Sequence, residues 1–189
     1  MKILRASEYK TMPWKNGGGV TVEIAIHPPG ASVDAFEWRI SMATVAQDGP
    51  FSSFPGIDRT LAIIEGNGMA LAIAGDEPVA LTTKSTPLPF AADVPVDASL
   101  MDGSIVDLNI MTRRSSFSHS VERLSGSYSA EAGTGTRMIL SLHPLTVSFG
   151  NDTARLEKLD SIFIPESLPF TVRPDHDDGV FFLITLRRI

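Results

Sequence analysis

Nowhere in this chain do apolar residues recur every three to four positions for long enough to build an amphipathic helix. What recurs instead is alternation, and that restricts the fold to sheets. Val20, Val22, Ile24 and Ile26 fall on one face of an extended segment, with Thr21 and Glu23 on the other. Phe36, Trp38, Ile40 and Met42 alternate with Glu37, Arg39 and Ser41, and Val106, Leu108 and Ile110 with Asp107, Asn109 and Met111. The pattern resumes at Met138, Leu140 and Leu142, at Leu145, Val147 and Phe149, and in the apolar run Val180 to Leu186. Between these segments stand turn sequences: His27-Pro28-Pro29-Gly30, Gly49-Pro50, Glu65-Gly66-Asn67-Gly68, Gly150-Asn151-Asp152 and Asp177-Asp178-Gly179. Ser7 to Lys10 makes a turn of helix at most. Many short strands with such punctuation predict a sandwich or barrel.

Two runs of strands suggest a weak internal duplication. Pro87 to Pro95 reads as a Pro-rich stretch, and the small, polar Ser125 to Thr136 as a linker or mobile loop. The 189 residues suffice for one or two compact units with a real core. A hydrophobic content of 43% with 20% charged residues argues against disorder. A formal charge of −6, with basic residues scattered, argues against a nucleic-acid surface. With no cysteine, disulfides, thiol nucleophiles and cysteine-ligated metals are excluded. The apolar pair Ile3-Leu4 is too short for a signal-peptide core, and no apolar run is long enough to span a bilayer. A soluble cytoplasmic protein that does not engage membranes is the expectation.

Trp14-Lys15-Asn16-Gly17-Gly18-Gly19-Val20-Thr21 is the least ordinary stretch. Three glycines contribute nothing to a core and cost backbone entropy, so they mark a tight turn or a close approach. A plain turn into the first long strand explains them. So does a ligand loop, with Lys15 and exposed backbone N–H groups facing an anion and Trp14 as a wall. No Gly-Lys-Ser/Thr follows, so this is not a phosphate P-loop.

The polar strand faces hold Thr21, Glu23, Arg39, Ser41, Asp107 and Asn109. Antiparallel sheets wet on one side account for polar faces in general. If these three strands share a barrel mouth, the same residues converge on a small polar ligand, with Arg39 as its anion anchor; otherwise Arg39 and Asp107 neutralise each other. His27, His119, His143 and His176 stand singly, without the paired spacing of a local metal site. No Gly-x-Ser-x-Gly is present. Glu23 and Asp107 could do acid–base work if buried together.

Several of these motifs, in order, resemble the HutD/Ves family. They are Trp14-Lys15-Asn16-Gly17-Gly18-Gly19 with Thr21 and Glu23, Phe36-Glu37-Trp38-Arg39-Ile40-Ser41, Gly49-Pro50-Phe51-Ser52-Ser53-Phe54-Pro55-Gly56-Ile57-Asp58-Arg59, and Asp107-Leu108-Asn109-Ile110-Met111. The resemblance is strongest over residues 13 to 114. It implies an all-β bicupin, two cupin-like jelly-roll barrels in one chain. The first would span residues 1–112. The second would span 137–189, completed by strands from 113–136 or from the N-terminal segment. Set against a metal cupin's motif, Gly66 closes a strand and counting back seven positions reaches Arg59, where a ligating Glu is expected. The histidine positions fall near Ser52 to Pro55, and in the second half near Phe170, and none is histidine.

The expectation is therefore a site with neither metal nor cofactor. Arg59 and Lys15 supply charge, and Asn16, Asn109 and Ser41 orient a small carboxylate such as formate or urocanate. Trp14, Gly17, Thr21, Glu23, Arg39 and Asp107 complete the candidate set. Otherwise Arg59 pairs with Asp58 or Glu23 as scaffold. The resemblance carries a role in regulating histidine utilisation. The alternative is a small-acid isomerase or hydrolase using the pocket carboxylates, which burial of Glu23 or Asp107 beside the cation would favour. A homodimer through edge strands is a third reading.

Overall fold

The computed structural model describes residues 2–14 and 17–189. Among them the chain forms β-strands and one turn of 3-10 helix over Ala6–Glu8. It divides into two units: Lys10–Ser118, and residues 119–188 together with residues 2–9. Strand β1 (Lys2–Leu4) at the start of the chain thus belongs to the second unit.

The first unit holds two sheets. One, in spatial order, is β2 (Lys10–Pro13), β3 (Gly19–His27), β4 (Trp38–Val45), β11 (Ile105–Arg113), β6 (Ile57–Glu65) and β9 (Leu88–Ala91). The other is β5 (Gly49–Pro50), β10 (Val96–Leu100), β7 (Met69–Ile73) and β8 (Val79–Leu81). Ala43, Val45, Leu61, Ile63, Met69, Leu71, Val96, Ala98 and Ile105 pack one apolar cluster. Strands β4, β6 and β11 bury residues of both parities, so their polar residues sit inside the protein rather than in water.

Two bulges break the simple alternation. In β3 the register to β4 shifts between Glu23 and Ala25, leaving Ile24 as the extra residue. In β6 the register to β11 shifts at Val106/Asp107, leaving Ile64 extra. Bulges bend a strand and re-aim its side chains. Here they flank Glu23 and Asp107. The expected single apolar face from Val20 to Ile26 is interrupted accordingly: Ile24 is buried, whereas Ile26 packs with Phe36, Ile57 and Met111 in a separate small cluster.

The second unit is built from β1, β17 (Ser161–Ile164), β14 (Thr136–Ser141), β19 (Val180–Arg188) and β12 (Phe117–Ser125) in one sheet. The other contains β13 (Tyr128–Ala130), β18 (Phe170–Pro174), β15 (Leu145–Phe149) and β16 (Asp152–Leu156). Its interior is apolar: Ile139, Leu145, Val147, Phe149, Leu156, Ile162, Phe170, Val172, Phe181 and Leu183 pack together. Phe170, near which a second-motif histidine was expected, is a core residue 2% exposed.

Two sequence expectations need correction. Ser125 to Thr136 is not simply a linker, because Tyr128–Ala130 pairs with β18 and the Tyr128 ring packs against Phe170 and Phe181. The Pro-rich stretch contains edge strand β9, which pairs with β6 from Asp58↔Ala91 to Leu61↔Leu88. An edge is where a proline such as Pro89 is tolerated, since its missing N–H need not face a neighbour.

Candidate functional site

The register of the larger sheet stacks three rungs of side chains. Arg39, Met111 and Arg59 are level across β4, β11 and β6; Ser41, Asn109 and Leu61 form the next rung; Ala43, Asp107 and Ile63 the third. Side chains two apart on a strand share a face, so all nine project to the same side. The rungs grade from cationic through amide and hydroxyl to carboxylate and aliphatic. A cavity of about 510 Å³ lies over them. Arg39, Ser41, Ala43, Asp107, Asn109, Met111 and Arg59 line it, with Trp14, Gly18 and Thr21 from the glycine loop and β3, and Phe51, Phe54 and Ala98 opposite.

Arg59 is the centre of the site. It is 9% exposed, and donates from Nε to Asn109 Oδ1 at 2.8 Å and from Nη2 to the same oxygen. Its guanidinium lies over the Phe51 ring at 4.4 Å and near Phe90 at 5.7 Å. Aromatic faces attract a cation without neutralising it. Among the described residues no carboxylate stands within ion-pairing distance: Asp58 pairs with Arg114 at 2.8 Å, and Glu23 with Arg39 at 2.8 Å. Neither scaffold partner anticipated for Arg59 is used, and Arg39 pairs with Glu23 rather than with Asp107. Burial pushes Arg59 down to about 10, opposed by Asp107 and reinforced by Arg39. It remains cationic at neutral pH.

Asp107 is 1% exposed. Its Oδ1 accepts from Asn109 Nδ2 at 2.5 Å, so Asn109 links carboxyl to guanidinium. Its Oδ2 is buried without a partner among the described residues. Burial raises its pKa from 3.8 to about 6, with Arg59, Asn109 and the Ala43 backbone pulling the other way.

The described residues of the glycine stretch bond one another. Trp14 N donates to Gly19 O at 2.9 Å and Gly17 N to Trp14 O at 3.1 Å, and Trp14 Nε1 donates to Thr21 Oγ1 at 2.8 Å. A Cβ at Gly19 would sit 2.2 Å from Thr44 O and 2.9 Å from the Trp14 ring. Glycine at that position is what lets the indole close against the strand and stand as a wall of the cavity.

The HutD family's sequence profile matches residues 6–181. The chain belongs to the HutD family. It is 37% identical over 111 residues to an uncharacterized 21.2 kDa protein in the hutC 3′ region of Pseudomonas putida, covering 59% of this chain and 57% of that one. It is 45% identical over 103 residues to protein Ves of Citrobacter koseri, covering 53% and 52%. The chain spans a little over half the length of these curated relatives. HutD from Pseudomonas fluorescens SBW25, solved in a formate condition, superimposes with a TM-score of 0.85 at 29% identity over 100% of this chain and 98% of that one. A cupin 2 conserved barrel domain protein from Leptotrichia buccalis matches at TM-score 0.62 and 13% identity, over 97% of this chain and 100% of that one. That likeness shows the fold: two cupin-like barrels in an all-β chain.

In this HutD-family chain the described residues on the three rungs of the first barrel supply few metal donors. Guanidinium groups have no lone pair to give. Arg59, Arg39, Ser41 and Asn109 leave Asp107 as the one carboxylate among the described residues on the three rungs. No group of three or more His, Asp and Glu among the described residues is placed to hold a metal ion.

Of the residues singled out from the sequence, Trp14, Thr21, Arg39, Ser41, Arg59, Asp107 and Asn109 are brought together on the cavity. Gly17 is exposed and Glu23 is occupied by Arg39; neither is a lining residue. Lys15 and Asn16 lie outside the described residues. Phe51 and Phe90 were not anticipated as site residues. Phe51 lies in the Gly49–Gly56 motif, which carried the family resemblance without a role, and Phe90 lies inside the Pro-rich stretch.

Proposed function

We propose that the first barrel binds a small carboxylate directly on Arg59, without a metal between them, and that this binding serves regulation of histidine utilisation. The observation that carries the reading is Arg59 itself: a buried cation lining a cavity, stacked on Phe51, with a neutral amide oxygen as its hydrogen-bond acceptor. Burying a charge is costly unless it is paired. A guanidinium that meets an amide instead of a carboxylate is set to take an anion in bidentate fashion. The hutC-region relative and HutD itself point to histidine utilisation as the setting. Formate, urocanate and formimidoglutamate are the first probes. Titration calorimetry should detect at least one of them binding the parent protein and lose it in Arg59→Ala. Equal affinity in parent and variant overturns the reading.

A second reading is favoured by Asp107. A carboxyl buried beside a cation, with a pKa raised to about 6, has the protonation behaviour of a general acid or base. In that case a small acid would be isomerised or hydrolysed in the same pocket. Incubation with the same probes, followed by proton NMR, separates the two. Turnover that disappears in Asp107→Asn supports catalysis, and unchanged probe spectra with retained binding support a binding protein.

A further inference from the structure

The charged groups around the cavity face one another in pairs. Asp107, on β11, faces Arg59 from β6 through Asn109. From β4 comes Arg39, whose charge is met by Glu23 of β3 at 2.8 Å. Ser41 and Thr21 are neutral. Asp48 also borders the cavity, but it is exposed, and its Oδ1 accepts the Leu100 N–H at 2.7 Å. Among the described groups on these strands, two buried guanidiniums therefore balance two carboxylates, buried Asp107 and half-buried Glu23. A guest carboxylate seated on Arg59 brings one negative charge too many into a space walled by Trp14, Phe51 and Met111. In such surroundings an uncompensated charge is expensive.

Resting on the anion reading above, we propose that Asp107 is a proton site belonging to this pocket: a monoanionic guest on Arg59 is taken up together with one proton from solvent, held on Asp107. The proton lands on Oδ2, the oxygen that has no partner among the described residues, while Oδ1 keeps the Asn109 amide. The O–H bond formed is the only covalent change, and the pocket returns to neutrality. What enters in sum is the neutral acid. The class of guest follows. Guests of one net negative charge fit the balance, whereas a guest dianion would bring a second charge to a cavity on which Asp107 is the one buried carboxyl among the described lining residues. The resting carboxyl already leans toward protonation, for the reason of burial given above.

The test is calorimetry of the intact protein with formate and with benzoate, near neutral pH, in bis-Tris and in Tris. These buffers are cationic and differ in ionisation enthalpy, so proton uptake appears as a buffer-dependent binding enthalpy. The expected result is uptake approaching one proton per guest, and affinity falling up to about tenfold per pH unit above the Asp107 range. Asp107→Asn should still bind, with a flat pH profile and no buffer dependence. Binding by the parent protein without proton uptake overturns the proposal and leaves the anion reading standing. Uptake that persists in Asp107→Asn assigns the proton elsewhere and also overturns it. If neither probe nor those named above bind, the anion reading fails and takes this proposal with it. The parent measurement decides even if the variant does not fold.

Discussion

Each barrel of this chain buries an arginine against a phenylalanine, and the two arginines are used in opposite ways. Arg59 in the first barrel lies over Phe51 and gives two of its N–H groups to one side-chain amide oxygen. Arg137 in the second lies over Phe170 at 4.9 Å. Its Nη1 donates to Glu131 O at 2.7 Å, and its Nη2 faces the carbonyls of Pro165, Glu166 and Leu168, the last at 2.8 Å. These carbonyls lie outside the strands; Pro165 O and Glu166 O also accept from Leu168 N at 3.3 Å and Gly133 N at 3.2 Å, and Arg137 ties them to Glu131 O and Leu168 O as a clamp. Around it the barrel is filled with aliphatic and aromatic side chains. Around Arg59 the barrel keeps about 510 Å³ open. Arg137 gives its terminal N–H groups to main-chain oxygens, although its Nε is buried without a partner among the described residues, and so ties the fold together; Arg59 borders open space and, on the reading proposed above, is kept for a guest.

The strongest way to break this comparison is Arg137→Met. It takes the side-chain donor from Glu131 O and Leu168 O, whereas Pro165 O and Glu166 O keep a main-chain donor, and we expect a loss of about 2 to 3 kcal/mol in stability. The chain reports its own location: both tryptophans, Trp14 and Trp38, lie in the first unit and both tyrosines, Tyr9 and Tyr128, in the second. Urea unfolding followed at tyrosine should shift further than unfolding followed at tryptophan. Equal shifts would mean that Arg137 is no more a local clamp than Arg59. Next comes Arg59→Met, which should weaken carboxylate binding about 100-fold, roughly 2.7 kcal/mol. It should cost less stability than Arg137→Met, because Asp107 can neutralise itself by taking a proton. A stability loss as large as that of Arg137→Met would make Arg59 structural after all.

Acid response should separate the barrels too. Asp107 has a raised carboxyl pKa, so the folded state holds its proton more tightly than the unfolded chain does. Its contribution is full below about pH 4 and lost as pH rises through about 6, an effect of roughly 2 to 3 kcal/mol. In the second barrel the sign is reversed. Burial pushes Asp160 up, but the Ala6 amide, Arg5 and the Glu157 amide outweigh it and hold the carboxyl below its ordinary range. Arg155 does the same for exposed Asp175. Their stabilisation is present above the ordinary carboxylate range and is lost as pH falls below it. Stability measured at tryptophan should therefore decline from pH 4 to 6 relative to Asp107→Asn, while the tyrosine signal should decline on acidification. The smallest effect is expected from Trp14→Phe. It removes the bond to Thr21 Oγ1, for about 1 kcal/mol in stability and a few-fold in affinity, read by thermal melting and calorimetry.

Alternation alone was enough to put Arg39, Ser41, Asp107 and Asn109 on shared strand faces, and the structure stacks them as rungs because β4 and β11 pair in register. It was not enough to say who pairs with whom. Glu23 was expected as a lining residue, but the bulge at Ile24 lies beside it and its carboxylate meets Arg39. Phe51 and Phe90 reach Arg59 from a loop and an edge strand far away in sequence, a contact no local period encodes. In strand β10 Val96, Ala98 and Leu100 alternate with Asp97 and Ser99, but the prolines just before it carry the stronger local signal, that of a connection. Tyr128–Ala130 is three residues long, below the length at which alternation is a signal.

The first strand of the chain has its neighbour near the other end: Lys2, Ile3 and Leu4 pair with Phe163, Ile162 and Ser161, and Arg5 bonds Asp160 at 2.6 Å. On a ribosome this means that residues 2–9 emerge long before the strand they pair with. Lys10–Ser118 can condense as soon as it has left the exit tunnel, whereas the leading segment waits through the synthesis of about 150 further residues. A tag or blocking group on the leading segment should therefore slow maturation of the later-made barrel and leave the earlier one untouched.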